Sequence, residues 1–148
     1  MFYKIVKQTF TKIPKIVVTA PENVKRIQRR EFVRIQTAVD VAIHSQSETF
    51  APFTTVTHDI SGGGLALILP ANRQLPIGEY ANVYIVLHMY DGNIYYVSAL
   101  SKILRINEHT GGLTTASLQF KKIIPQNQQK IIQFCLEKQR EERQKEIE

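Results

Sequence analysis

The stretch Val83-Tyr84-Ile85-Val86-Leu87-His88-Met89-Tyr90-Asp91-Gly92-Asn93-Ile94 decides the fold class. Val83, Ile85, Leu87 and Met89 alternate with Tyr84, Val86, His88 and Tyr90, the period-2 rhythm of a strand with one face turned inward. Asp91-Gly92-Asn93 supplies a tight turn, and residues 94–106 return as the partner strand of a hairpin. Further along, Gly111-Gly112 turns the chain again and residues 113–120 alternate Thr, Ala, Leu and Phe. On the N-terminal side, Leu65-Ala66-Leu67-Ile68-Leu69 is apolar enough for a central strand, and residues 53–60 are rich in Thr and Val. Phe32, Ile35 and residues 39–43 predict one long, kinked strand. About six strands joined by short turns, with no helix between them, describe an all-β antiparallel barrel or sandwich.

The ending differs in kind. Pro125 opens a stretch in which Ile131, Ile132, Phe134, Cys135 and Leu136 recur at helical spacing. Acid and base then alternate to Glu148, with Glu141 and Lys145 placed for an i,i+4 pair. The expected helix packs its apolar first half on the strands and projects its second half.

A chain of 148 residues with 43% hydrophobic and 22% charged residues suits one soluble globular domain with a short attached piece. The single cysteine excludes an intrachain disulfide and suits a reducing compartment. Met1-Phe2-Tyr3-Lys4 does not read as a signal peptide, and no apolar run approaches a membrane span. The expected compartment is the cytoplasm, without direct membrane insertion. The net charge of +6 is not spread evenly. Residues 1–34 hold nine Lys/Arg against Glu22 and Glu31, densest at Lys25-Arg26-Ile27-Gln28-Arg29-Arg30, while the remainder is close to neutral. Clustering of this kind implies an anionic partner or a solubilising arm.

Two motifs carry chemistry. Arg30-Glu31-Phe32-Val33-Arg34 sets two arginines four apart, with Arg29 just ahead. The guanidinium fork suits phosphate and the O6/N7 edge of guanine, where lysine would supply charge without planar geometry. About 25 residues later comes Asp59-Ile60-Ser61-Gly62-Gly63-Gly64. A carboxylate at Asp59 can accept from guanine N1–H and N2–H₂, and the Ser61 hydroxyl can donate or accept beside it on an exposed turn. Gly62, Gly63 and Gly64 permit positive φ and a close approach of ligand to backbone. Alone, the first motif describes any solvated charged face and the second any hairpin turn; their order, spacing and strand context point to one site.

In this order, ahead of an all-β pattern, the motifs resemble the two-part signature of the PilZ domain, the bacterial receptor for cyclic di-GMP. The resemblance runs from about Arg26 to Leu136 and implies a six-stranded antiparallel β-barrel over residues 32–124 with a C-terminal α-helix over 125–148. It implies that Arg30 and Arg34 contact phosphates and guanine edges, that Asp59 and Ser61 bind a guanine, and that Gly63 and Gly64 shape the turn. An arginine at the position of Arg29 goes with a stacked, intercalated dimer of cyclic di-GMP in that family. Residues 22–34 resemble the basic switch linker of YcgR-like flagellar brake proteins, and residues 1–21 the last strands of the β-domain preceding it. Most of that domain is missing, which fits a fragment, a natural short form, or leading strands that pair with another chain; the fragment is the first expectation. The implied partner is a flagellar stator or switch protein, and the implied output reduced motility.

Two other function classes compete. A small basic barrel with Tyr80, Tyr84, Tyr90, Tyr95 and Tyr96 could stack single-stranded nucleic acid, but the positive charge lies in the linker rather than on the strands. For an enzyme, His44, His58, His88 and His109 are dispersed without metal-ligand spacing, and Cys135 reads as a packed residue. His58 beside Asp59 is expected to point to the opposite face of its strand. Neither a metal nor a catalytic residue is expected.

Overall fold

A computed structural model describes residues 32–147. The strands expected at 2–6 and 16–19, the linker up to residue 31, and the side chains of Arg29 and Arg30 lie outside the described residues. Six strands form a closed antiparallel barrel: β1 Asp40–Ser45, β2 Phe53–Ser61, β3 Gly64–Ile68, β4 Tyr80–His88, β5 Ile94–Glu108 and β6 Thr114–Ile123. Their order around the barrel is β1-β2-β3-β6-β5-β4, with β4 returning to pair with β1. The helix α1, Pro125–Ile147, follows. The all-β barrel with a C-terminal helix is therefore the observed architecture.

The expected hairpin is the longest regular pairing. Residues from Tyr80↔Lys102 to His88↔Ile94 match one for one. Gly92, at φ 91°, closes the turn, and Asn93 N–H donates to Asp91 Oδ1 at 3.0 Å. Inward positions Val83, Ile85 and Leu87 of β4 meet Val41 and Ile43 of β1, Leu65 and Leu67 of β3 and Ile103 of β5, all buried. At 15 residues β5 is too long for a straight strand. Register shifts at Leu100/Ser101 and Ile103/Arg105 bend it so that β6 can follow it to the barrel's edge.

Two expectations change. Residues 32–43 do not form one long strand: β1 begins at Asp40, and the preceding segment meets β2 through an isolated bridge, Ile35↔Ile60, and a bond from Thr57 N–H to Val39 O at 2.9 Å. The segment is held by side-chain chemistry as well. Thr57, buried in β2, donates through Oγ1 to Thr37 O at 2.6 Å and accepts from Val39 N–H at 3.0 Å. Those local bonds satisfy backbone groups that a strand would have paired. On α1, Ile131, Phe134 and Cys135 are buried as expected, but Glu141 pairs with Lys138 at 3.5 Å and not with Lys145. Tyr90 N–H donates to Glu137 Oε1 at 2.9 Å and ties the β4–β5 turn to the helix.

Inside the barrel, Ser101 is fully buried and its hydroxyl has no hydrogen-bond partner. An unpaired buried hydroxyl costs about 1–3 kcal/mol of desolvation. Ser101→Ala should therefore leave urea stability unchanged or raise it by up to about 1 kcal/mol. A loss greater than that would show that the hydroxyl is satisfied.

Candidate functional site

The site is built around the Ile35–Ile60 bridge. Ile35 N–H donates to Ile60 O at 2.9 Å and Ile60 N–H returns a bond to Ile35 O at 3.0 Å, the reciprocal pair of an antiparallel ladder. Both isoleucines are buried, so their neighbours Arg34 and Asp59 turn outward. In this register Arg34 lies diagonally across from Asp59, within reach of a long side chain. The Arg34 guanidinium pairs with Asp59 Oδ1. Arg34 is 55% exposed and Asp59 18%, so the pair joins an exposed cation to a largely enclosed carboxylate. An ion pair this exposed adds little to stability; it keeps the two groups of the two motifs together.

His58 completes the arrangement in a way the strand period did not predict. Thr57 pairs with Leu67 and Asp59 with Ala66, so two residues of β2 oppose one of β3. This bulge breaks the alternation and brings neighbouring side chains to one side. His58 Nδ1 lies 2.9 Å from Asp59 Oδ2. The expectation that these neighbours face apart is corrected by the bulge. His58 also stacks on His109, with ring centroids 5.6 Å apart.

The turn after Asp59 differs from expectation in two respects. Ser61 is 4% exposed, and its hydroxyl is not presented on the surface. It accepts from Gly63 N–H at 3.2 Å and donates to Gly64 O at 3.3 Å, so it braces the turn. None of Gly62, Gly63 and Gly64 has positive φ. Their requirement is steric. A Cβ on Gly62 would sit 2.7 Å from Phe32 Cδ1 and 2.8 Å from Ile132 Cγ1, and one on Gly64 would sit 2.3 Å from Leu118 O. Gly63 takes part in the same packing through Phe120 N–H, which donates to its carbonyl at 3.0 Å.

The turn is thus pressed between Phe32, which lies inside the first motif, and α1. Gln128 Nε2 donates to Gly62 O at 2.9 Å, and Cys135 Sγ donates to Ile60 O at 3.4 Å. Burial pushes the Cys135 thiol up from the ordinary 9.0 to about 11, against the opposing pull of Arg34. That keeps the thiol protonated and able to donate, and makes it a poor nucleophile.

Arg34, Asp59, Ser61, Gly63 and Gly64 are therefore brought together. Phe32, His58, His109 and Gln128 join them without having been singled out as site residues. A surface concavity of about 740 Å³ lies elsewhere, on the barrel wall between Asp40, Thr54, Tyr84 and Tyr96. Its only charged lining residue is Asp40, which does not suit an anionic ligand. The bridge site has the arginine and the tight backbone that the cleft lacks. Among the described residues no cluster of His, Cys, Asp and Glu could hold a metal, and no helix is long and apolar enough to cross a membrane.

Residues 28–137 match the PilZ domain, and the chain belongs to that family. It is 29% identical over 125 residues to the uncharacterized protein YpfA of Bacillus subtilis (strain 168), covering 84% of this chain and 56% of that one. The structure of the Bacillus subtilis inhibitor of motility (MotI/DgrA) superposes with a TM-score of 0.70 at 25% identity, covering 79% of this chain and 54% of that one. The PilZ domain with c-di-GMP of YcgR from Escherichia coli shares the fold, with a TM-score of 0.61 at 18% identity, covering 82% and 99%. The chain spans just over half the length of the two Bacillus proteins.

A methyl at Gly64 meets backbone on β6, which cannot swing aside as a flexible side chain can. Gly64→Ala should therefore cost about 2–3 kcal/mol or more of urea stability. A loss below about 1 kcal/mol would show that β3 and β6 separate easily at this point.

Proposed function

We propose that this PilZ-domain chain is a non-catalytic receptor for cyclic di-GMP that changes conformation on binding and regulates a protein partner. The observation that carries the reading is the Arg34–Asp59 pair, held over the Ile35–Ile60 bridge and beside a glycine turn packed against backbone. A cyclic dinucleotide presents two phosphates and two guanines. Arg34, together with Arg30 of the same motif, supplies forks for phosphates and for the O6/N7 edge. Asp59 supplies the one group an arginine cannot, an acceptor for guanine N1–H and N2–H₂. Ser61, Gly63 and Gly64 keep the turn in the shape that presents it. Arg29 ahead of the motif favours a stacked dimer of the ligand.

Binding separates the pair. A phosphate draws Arg34 away, Asp59 turns to a guanine, and the linker that carries Arg29 and Arg30 closes around the ligand. Residues 22–34 are then the switch, residues 32–124 with the helix of 125–148 the rigid body, and residues 1–21 the end of a preceding β-domain. The likeness to an inhibitor of motility supports a flagellar stator or switch protein as the partner and a cytoplasmic location. Single-stranded nucleic acid is the weaker reading. Tyr84 and Tyr96 are exposed, yet no basic side chain lines the cleft beside them.

Isothermal titration of cyclic di-GMP into this chain and into Arg34→Ala and Arg30→Ala tests the proposal, with GTP and a short oligonucleotide as controls. Each loss of a charge-assisted fork should weaken binding roughly tenfold to hundredfold. About two ligands per chain would support the stacked dimer. Weakening by less than about threefold, or equal binding of the oligonucleotide, would contradict the assignment.

A further inference from the structure

The geometry points to His58 as the residue that sets selectivity for guanine, by fixing the plane of the Asp59 carboxylate. This inference rests on the cyclic di-GMP reading and names a determinant that neither motif contains. The two Asp59 oxygens have different partners: Oδ1 meets Arg34, and Oδ2 meets His58 Nδ1 at 2.9 Å. The two partners differ in permanence. Arg34 is exposed and has a competing attraction in any phosphate. The His58 side chain is 28% exposed, and its ring is held from behind.

That support can be followed residue by residue. His58 stacks on His109 with 24° between the ring planes. His109 Nε2 lies 2.9 Å from Oγ1 of Thr115, which is buried in β6. His109 N–H also donates to Leu113 O at 2.7 Å, which closes the β5–β6 turn. The carboxylate of Asp59 is thereby connected through two imidazoles to the barrel wall, while the β2 bulge aims His58 and Asp59 the same way.

The consequence is specific to one part of the ligand. When Arg34 leaves for a phosphate, Oδ1 is freed, while Oδ2 keeps its bond to His58 and has a lone pair left over. Both oxygens then lie in a fixed plane, as side-by-side acceptance of guanine N1–H and N2–H₂ requires. Without His58 the carboxylate can rotate, and the second of these bonds is lost first. His58 is thus a positioning residue that acts through Asp59.

The test compares cyclic di-GMP with the cyclic dinucleotide carrying hypoxanthine, which lacks the exocyclic amine. Affinities are measured for the unaltered chain, His58→Ala, His58→Asn and His109→Ala. A hydrogen bond to a charged group corresponds to roughly tenfold or more in affinity, so the unaltered chain should prefer guanine by at least that. His58→Ala should bring the preference below about threefold, chiefly by weakening cyclic di-GMP. His58→Asn, whose amide can donate from the place of Nδ1, should keep most of the preference. His109→Ala should lose part of it. Urea midpoints of all variants establish that they are folded. Unchanged preference in His58→Ala, or equal loss of both ligands, would overturn the assignment while leaving the receptor reading intact. Failure of the unaltered, folded chain to bind cyclic di-GMP would overturn both.

Discussion

The two hydrogen bonds between Ile35 and Ile60 are the constraint on which the site depends. Together with the bond from Thr57 N–H to Val39 O at 2.9 Å, they are the backbone attachments between the segment bearing the first motif and the strand bearing the second, among the described residues. Because both side chains are buried, the bridge determines which neighbours face outward and brings Arg34 to Asp59. It is reinforced from both directions. Thr57 holds Thr37 and Val39 on one side, and Cys135 of α1 donates to the same Ile60 carbonyl on the other. A single backbone pair would fray alone; with a buried threonine and a helix thiol it becomes part of the core.

This construction separates a firm half of the site from a movable one. Ser61 and the glycine turn beside Asp59 are packed against Phe32, α1 and the β6 backbone, which fixes their shape. Arg34 is exposed and, among the described residues, has a single carboxylate partner, which a phosphate can replace. Preorganisation lowers the ordering cost of binding, whereas in the proposed function the exposed arginine supplies the change of state. The glycine turn also touches α1 through Gln128 and Ile132, so the turn and the helix pack as one unit.

How much of this could be read in the sequence varied with the physics. The β4–β5 hairpin was plain because a half-buried strand repeats every two residues and Asp-Gly-Asn has the chemistry of a turn. The apolar half of α1 was plain for the same kind of reason. Residues 32–39 mislead because Phe32, Ile35 and Val39 are apolar, yet the Thr37 carbonyl and the Val39 N–H bond to a threonine side chain, which leaves no periodic trace. The glycine run departs from the expectation of positive φ: its requirement is crowding by Leu118 O and Phe32. Local sequence cannot show that, since the crowding atoms lie far away along the chain. Within the candidate site, Arg34, Asp59, Ser61, Gly63 and Gly64 do converge, while His58 was set aside because a bulge shifts the alternation without any glycine or proline to signal it.

A crystal structure of this chain grown with cyclic di-GMP tests the central claim most directly. The account predicts a guanine against Asp59, Arg34 turned from that carboxylate onto a phosphate, and the Ile35–Ile60 bridge intact. A ligand seated in the Tyr84–Tyr96 cleft, or one bound with the Arg34–Asp59 pair undisturbed, would contradict it.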